Sequence, residues 1–299
     1  REFNEHNATE AVIARLADCR DPRLKQVMSS IVKHLHAVAR EVEPTFEEWM
    51  MAIRFLTETG QICDETRQEF ILLSDTLGLS MLVDAINHRN ASGVTESTVL
   101  GPFHVEGAAA LEHGADICKD GKGEPTVVIG RVLDPAGRPI AGALLDVWQT
   151  NALGLYDVQQ PGVQPAMNLR GKFQSDADGG FWFKTVKPAS YPIPTDGPVG
   201  RLLASLGRHP YRPAHIHFIV TADGFLGVTT HLFVDGDPYL GSDAVFGVKE
   251  SLVVPFVRQE SPSQAEAYGV RAPFYTVRHD FRLEPARAAA ADGPWSAGG

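Results

Sequence analysis

Apolar positions along the chain obey two different periods, and the change of period divides it. Leu24, Val27, Met28, Ile31, Leu35 and Val38 fall at i, i+3, i+4, i+7, i+11 and i+14, which is one face of one helix. Thr45-Phe46-Glu47-Glu48 reads as a capping box opening a second helix. Trp49, Met50, Ile53 and Leu56 continue it at helical spacing, and Gly60 marks the stop. A third helical segment, about 64 to 89, carries Phe70, Leu73, Leu77 and Met81. Stripes of this kind ordinarily face a core. Beyond Gly93 the helical period disappears. Short alternating runs separated by Pro and Gly take over: Thr126 to Asp134, Gly142 to Gln149, Phe181 to Thr185, then runs at 214–221, 228–234 and 250–255. No helices of crossover length lie between them, so a parallel α/β fold is excluded. The pattern predicts a mainly β fold with α: a β-sandwich or barrel over 96–286, of which a mixed-topology β-sandwich is the expected form, preceded by a helical domain over 1–95. Residues 287–299, rich in Ala and Gly, read as a flexible C-terminal tail.

Composition narrows the function classes. The net charge is −10 and no basic stripe is visible, which weighs against nucleic acid and favours a small-molecule partner. No apolar run approaches the roughly 18 residues of a membrane span. Asp, Glu and Arg occupy the first 30 residues, where a signal peptide would be apolar, so a soluble cytoplasmic protein is expected. Cys19, Cys63 and Cys118 are scattered, odd in number and without a CxxC. They predict reduced thiols rather than a disulfide framework or a thiolate zinc site.

The candidate chemistry starts at Arg212-Pro-Ala-His-Ile-His-Phe-Ile-Val220, a strand with apolar residues on both faces. Residues two apart on a strand point the same way, so His215 and His217 emerge together on one face of a buried element. Such a pair suits a metal, and it equally suits satisfied core histidines. A zinc site would need a further ligand, for which His231 is the one obvious candidate. Tyrosine is the other donor to weigh, because a phenolate is a hard anionic oxygen suited to trivalent iron. Tyr156 and Tyr191 both sit in Gly- or Pro-rich connections, yet a lone loop tyrosine is usually half-buried packing, and the residues alone do not single these two out.

These stretches resemble the intradiol ring-cleavage dioxygenases, specifically the branch containing catechol and hydroxyquinol 1,2-dioxygenases. The likeness runs from Val99-Leu-Gly-Pro-Phe-His-Val-Glu-Gly107 through Gly142 to Gln149 and the two tyrosine loops to Arg212-Pro-Ala-His-Ile-His217. It implies one Fe(III) per subunit, held by Tyr156, Tyr191, His215 and His217 with a solvent hydroxide, Tyr191 and His217 being the axial pair. The resemblance also implies that a chelating diol displaces Tyr191, which leaves as a base and takes up a proton. Arg212 would stabilise negative charge building on the ring. His231 stands where catechol-cleaving members commonly carry Gln, a departure from the catechol pattern.

The stretch Phe70 to Leu79 looks like the hydroxyquinol branch. Leu72 and Asp75 are one helical turn apart and face the same way. An aspartate beside the ring would accept a hydrogen bond from a third hydroxyl, which catechol lacks. Val99, Leu100, Gly101, Pro102 and Val245 are the family positions expected to line the rest of the pocket, with Arg212 and His231. The resemblance thus implies O2-dependent cleavage of hydroxyquinol to 3-hydroxy-cis,cis-muconate, with catechol cleavage to cis,cis-muconate as the alternative. It also implies a homodimer through the N-terminal helices, with a phospholipid between subunits. Two readings of other classes stay open at this point. One is a β-sandwich binding module without chemistry, supported by the transthyretin-like run from Val128 to Ala143. The other is a zinc hydrolase built on His215, His217 and His231.

Overall fold

The structure, a computed structural model, describes residues 3–65, 67–88 and 93–286. The segment 287–299, expected as a flexible tail, lies outside the described residues. Two compact units divide between Gln61 and Ile62.

The first unit is helical: α1 (Ala8–Ala14), α2 (Pro22–Val42) and α3 (Phe46–Gln61). Asp21 caps α2, its carboxylate accepting from the amides of Arg23 and Leu24 at 2.8 and 3.0 Å, with Pro22 opening the first turn. At the start of α3 the capping box forms as expected: Glu48 N–H donates to Thr45 Oγ1 at 3.2 Å, and Thr45 N–H donates to Glu48 Oε2 at 2.7 Å. The stripe on α2 occupies one face, but it is not core. No residue of α2 is buried, and Leu24, Met28, Ile31, Leu35 and Val38 keep 37–63% exposure among the described residues.

The second unit opens with α4 (Glu69–Thr76) and α5 (Leu79–Asn87). The one helical segment expected over 64–89 is therefore two. Gly78 adopts φ +74°, a left-handed conformation that a helix interior cannot contain, and its N–H turns back to Asp75 O at 3.0 Å. The break lets α4 pack on its own against α6 (Pro198–Ser205). Phe70 and Leu77, expected as core, stay 46% and 61% exposed, while Met81 is buried.

Twelve strands follow: β1 (Pro125–Leu133), β2 (Leu144–Gln149), β3 (Arg170–Gln174), β4 (Gly180–Val186), β5 (Tyr191–Pro192), β6 (Tyr211–Arg212), β7 (His215–Thr221), β8 (Val228–Val234), β9 (Val253–Val254), β10 (Val257–Gln259), β11 (Phe274–Arg278) and β12 (Phe281–Arg282), with α7 (Pro262–Tyr268) between β10 and β11. One sheet runs β3-β2-β7-β8-β9. The other runs β10-β11-β1, with β4 and β12 also paired to β1. Topology is mixed, since β1 pairs parallel with β11 and β12 but antiparallel with β4. The two sheets face each other across one core. Val128, Val132, Phe181, Phe183, Val277 and Phe281 come from one, and Leu145, Val147, Phe173, Ile216, Phe218, Val220 and Leu232 from the other. This is the β-sandwich with an N-terminal helical part that the two periods predict. No described helix is long and apolar enough to cross a membrane, and none of the three cysteines forms a disulfide.

Candidate active site

Strand β7 sends Ile216, Phe218 and Val220 into the sandwich core. Its period of two then leaves His215 and His217 on the opposite face. That face is closed to water: both histidines are 1% exposed and His231, paired with His217 across the β7–β8 ladder, is 0% exposed. Trp148 of β2, paired with His217 on its other side, stacks on the His217 ring with centroids 4.5 Å apart and planes 12° apart.

Two loops cover this face. In the first, Asn151 Oδ1 accepts from Leu153 N–H and Leu155 N–H at 2.9 and 3.1 Å, folding the chain back so that Tyr156 points inward. Gly154 sits at the crossing with the second loop at φ +78°. A β-carbon there would lie 2.9 Å from Ser190 O and 3.0 Å from Tyr191 Cβ, so only glycine lets the two loops touch. In the second loop, the short ladder β5–β6 pairs Tyr191 with Arg212, placing both beside the start of β7. Phe103 packs behind, stacked on Tyr156 at 4.5 Å and edge-on to Tyr191 at 6.5 Å.

The outcome is a chain of four polar atoms at close range. Tyr191 Oη and Tyr156 Oη are 3.2 Å apart, Tyr156 Oη and His217 Nε2 2.8 Å, and His217 Nε2 and His215 Nε2 3.0 Å. His215 Nδ1–H donates to Pro213 O at 2.7 Å, which leaves the lone pair on Nε2, facing the others. Burial holds all three histidines well below the ordinary imidazole range. Neighbouring charge adds to this: Arg212 for His215, and His231, His215 and Arg212 for His217. They are therefore neutral, as metal ligands must be. Burial, with Tyr191 alongside, pushes the Tyr156 phenol well above its usual range, so a phenolate here requires a cation in contact.

These residues fit a metal ion. Separations of 2.8–3.2 Å are those left between neighbouring donors each about 2.1 Å from one cation at right angles. Without one, the four facing atoms have only one another and a 3.5 Å contact from Arg212 Nη1 to His215 Nε2, and His217 Nδ1 has no hydrogen-bond partner. Among the described residues, His215, His217 and His231 also form a three-histidine group with candidate ligand atoms within 4.8 Å. The His231 Nδ1 makes a short contact with Thr98 Oγ1, while its Nε2 has no hydrogen-bond partner.

Next to these donors lies a small cavity. Leu72, Asp75, Val99, Gly101, Pro102, Tyr191, Arg212 and Val245, all singled out in the sequence, line it, together with Phe103, Ile193 and Pro194, which the sequence reading missed. Leu100 is 45% exposed and lies outside the cavity, and His231 lies outside it too, behind the other two histidines. Arg212 is 2% exposed and paired through Nε with Asp243 Oδ1 at 3.1 Å. Burial opposes its charge, but the Asp243 carboxylate and the two phenol oxygens outweigh that and hold the guanidinium protonated. Asp75 is also buried, and desolvation raises its carboxyl above the usual range against the pull of Ser80 and Arg212.

Comparison with known proteins places the chain. A family profile described as "Dioxygenase" matches residues 99–285, and one described as "Catechol dioxygenase N terminus" matches residues 21–95. The chain belongs to the intradiol ring-cleavage dioxygenases. It is 59% identical over 282 residues to a hydroxyquinol 1,2-dioxygenase of Rhizobium, covering 94% of this chain and 96% of that one. It is 56% identical to a 6-chlorohydroxyquinol 1,2-dioxygenase of Cupriavidus pinatubonensis, covering 95% and 99%. The crystal structure of a hydroxyquinol 1,2-dioxygenase from Pseudomonas putida superposes with a TM-score of 0.89 at 49% identity, covering 94% and 99%. The dioxygenase is thus an enzyme of the hydroxyquinol type, and the reading as a sandwich module without chemistry does not hold.

The ion pair that braces the cavity wall has a measurable worth. Replacing Asp243 by Ala strands a buried guanidinium and removes an acceptor for Val245 N–H and Gly247 N–H. Asp243→Ala is expected to cost about 3–5 kcal/mol in urea unfolding; a loss under about 1 kcal/mol would mean that Arg212 finds another partner.

Proposed function

We propose that this dioxygenase cleaves hydroxyquinol with O2 to 3-hydroxy-cis,cis-muconate, with one Fe(III) per chain held by Tyr156, Tyr191, His215 and His217. The observation that carries the reading is the close-range chain of two phenols and two neutral imidazoles beside a cavity lined by an arginine and an aspartate. The chemistry supplied by a ferric ion there is Lewis acidity towards the two diol oxygens and one-electron acceptance from the ring.

The rest falls to the protein. Of the four donors Tyr191 alone lines the cavity, so it is the group an entering diol meets, and its phenolate takes up a diol proton. Arg212 also lines the cavity, fixed by Asp243, and its permanent charge faces the ring where negative charge accumulates. Asp75, on the wall formed by α4, accepts a hydrogen bond from the third hydroxyl, while Leu72, Val99, Pro102 and Val245 contact the apolar ring edge. His231 and Thr98 lie behind the two histidine ligands and support them rather than touch substrate.

The N-terminal helices, over 1–95, pair two chains. Support comes from the exposed apolar stripe on α2 and the exposure of Trp49, Met51, Ile53 and Leu56 on α3, since clustered exposed apolar side chains mark interaction surfaces. The absence of disulfides among Cys19, Cys63 and Cys118 suits the reducing cytoplasm.

Iron-loaded protein is expected to be coloured by phenolate-to-Fe(III) charge transfer, with the band shifted and weakened in Tyr191→Phe; a colourless protein with a full complement of iron overturns the ligand set. In oxygen uptake, Asp75→Asn is expected to lower kcat/KM for hydroxyquinol relative to catechol by about tenfold or more. Wild-type turnover favouring catechol sinks the substrate assignment. Light scattering should return twice the mass of one chain, and Leu35→Glu should move it towards the single-chain value; a wild-type monomer refutes the pairing.

A further inference from the structure

One guanidinium outside the cavity ties together two segments that contribute to its lining. Arg208 follows α6, where Gly207 turns the chain at φ +67° and Arg208 N–H closes the helix onto Leu203 O at 2.9 Å. From there the side chain forks. Nη1 donates to Thr76 O at 2.6 Å and Nη2 to Ala244 O at 3.0 Å, while the guanidinium carbon lies 5.0 Å from the centre of the Phe246 ring. Thr76 is the last residue of α4 and follows Asp75. Ala244 precedes Val245, and its N–H is bonded to Tyr211 O of β6 at 3.1 Å, next to Arg212. Both acceptors thus adjoin residues that line the cavity, Asp75 on one segment and Val245 on another.

The other end of α4 is held by a separate device. Glu69, 1% exposed, accepts from Val199 N–H at 3.1 Å and from Arg67 Nε and Nη2 at 3.0 and 2.9 Å. Arg67 in turn grips Asp196. α4 has only eight residues, and the stop at Gly78 leaves its last carbonyls without helical partners. Arg208 is what satisfies one of them, with a positive charge at the negative end of the helix. Its planar fork aims Nη1 and Nη2 at two separate carbonyls in a fixed geometry, which a lysine's single nitrogen does not reproduce.

We infer that Arg208 is a positioning residue for substrate selection: by bridging Thr76 and Ala244 it fixes Asp75 against Val245 and Arg212 at the spacing a trihydroxylated ring requires. The inference rests on the proposed role of Asp75 as acceptor of the third hydroxyl. A hydrogen bond loses most of its worth with a displacement of about half an ångström, whereas apolar ring contacts tolerate it. Loosening this end of α4 therefore penalises hydroxyquinol and largely spares catechol.

The experiment compares kcat/KM for hydroxyquinol and for catechol in Arg208→Met, Arg208→Lys, Asp75→Asn and the double variant Arg208→Met/Asp75→Asn, each with its visible absorption band as a check on the iron site. Expected is a drop of about tenfold in the hydroxyquinol-to-catechol ratio for Arg208→Met, expressed mainly in KM for hydroxyquinol, with the band unchanged. Arg208→Lys, which keeps one of the two bonds, restores part of the ratio and stands in where the Met variant folds poorly. In the Asp75→Asn background, Arg208→Met should change the ratio no further. A ratio altered by Asp75→Asn but not by the Arg208 variants overturns the inference alone. So does an equal loss on both substrates, or an undiminished effect of Arg208→Met without Asp75. A ratio indifferent to Asp75→Asn overturns the role of Asp75 and the inference with it.

Discussion

Two imidazoles and two phenols, sealed from water and set 2.8–3.2 Å apart along a chain, make a demand that the polypeptide alone meets poorly. Each is a polar group removed from solvent, the imidazoles are neutral, and the proton of the Tyr156 phenol is held tightly by its surroundings. A cation held by all four, as proposed, would turn four competing lone pairs into four ligands. Much of the surrounding architecture serves to hold these atoms together: a strand buried on both faces, a tryptophan plane against His217, and two loops that meet where glycine leaves room.

The cavity beside them is electrically asymmetric. Arg212 carries a charge that burial disfavours and Asp243 sustains, so it is present before any substrate arrives and needs no reorganisation when negative charge appears. Asp75 lies on the helical wall with its carboxyl raised by burial, suited to receiving a hydroxyl rather than to pairing with a cation. In the proposed reading Arg212 stabilises charge and Asp75 recognises a substituent. The first belongs to the sandwich, where Arg212 lies three residues before His215, the first residue of β7. The second belongs to α4, a short element anchored from outside.

How much of this was legible in the sequence follows from which interactions are local. The capping box at Thr45, the strand from Thr126 and the pair His215 and His217 on one face are all consequences of short-range periodicity, and they appear where periodicity puts them. Tyr156 and Tyr191 are different. Their approach depends on Asn151 folding one loop and on Gly154 admitting the other, a tertiary coincidence that leaves no periodic mark, so only the resemblance to a family drew attention to them. Asp243, Phe103 and Arg208 were missed for the same reason, each acting on a segment distant in sequence. The α2 stripe misled in the opposite direction: its period correctly marks a face, but a period does not say whether the covering layer lies in the same chain. At α4 and α5, one glycine outweighed an otherwise continuous helical pattern.

The pairing of β1 has a consequence for the order in which the molecule comes together. Thr126 is in register with Tyr275, and Val132 with Phe281, so β1 waits for a strand about 150 residues downstream before its outer edge is covered. The tyrosine loops and the histidine strand all lie within that interval. During synthesis they emerge first, onto a half-built sandwich whose open parallel edge is exposed to other nascent chains, and such long-range pairing is slow to form. The sheet edge is therefore completed last, after Tyr156, Tyr191, His215 and His217 have all been made.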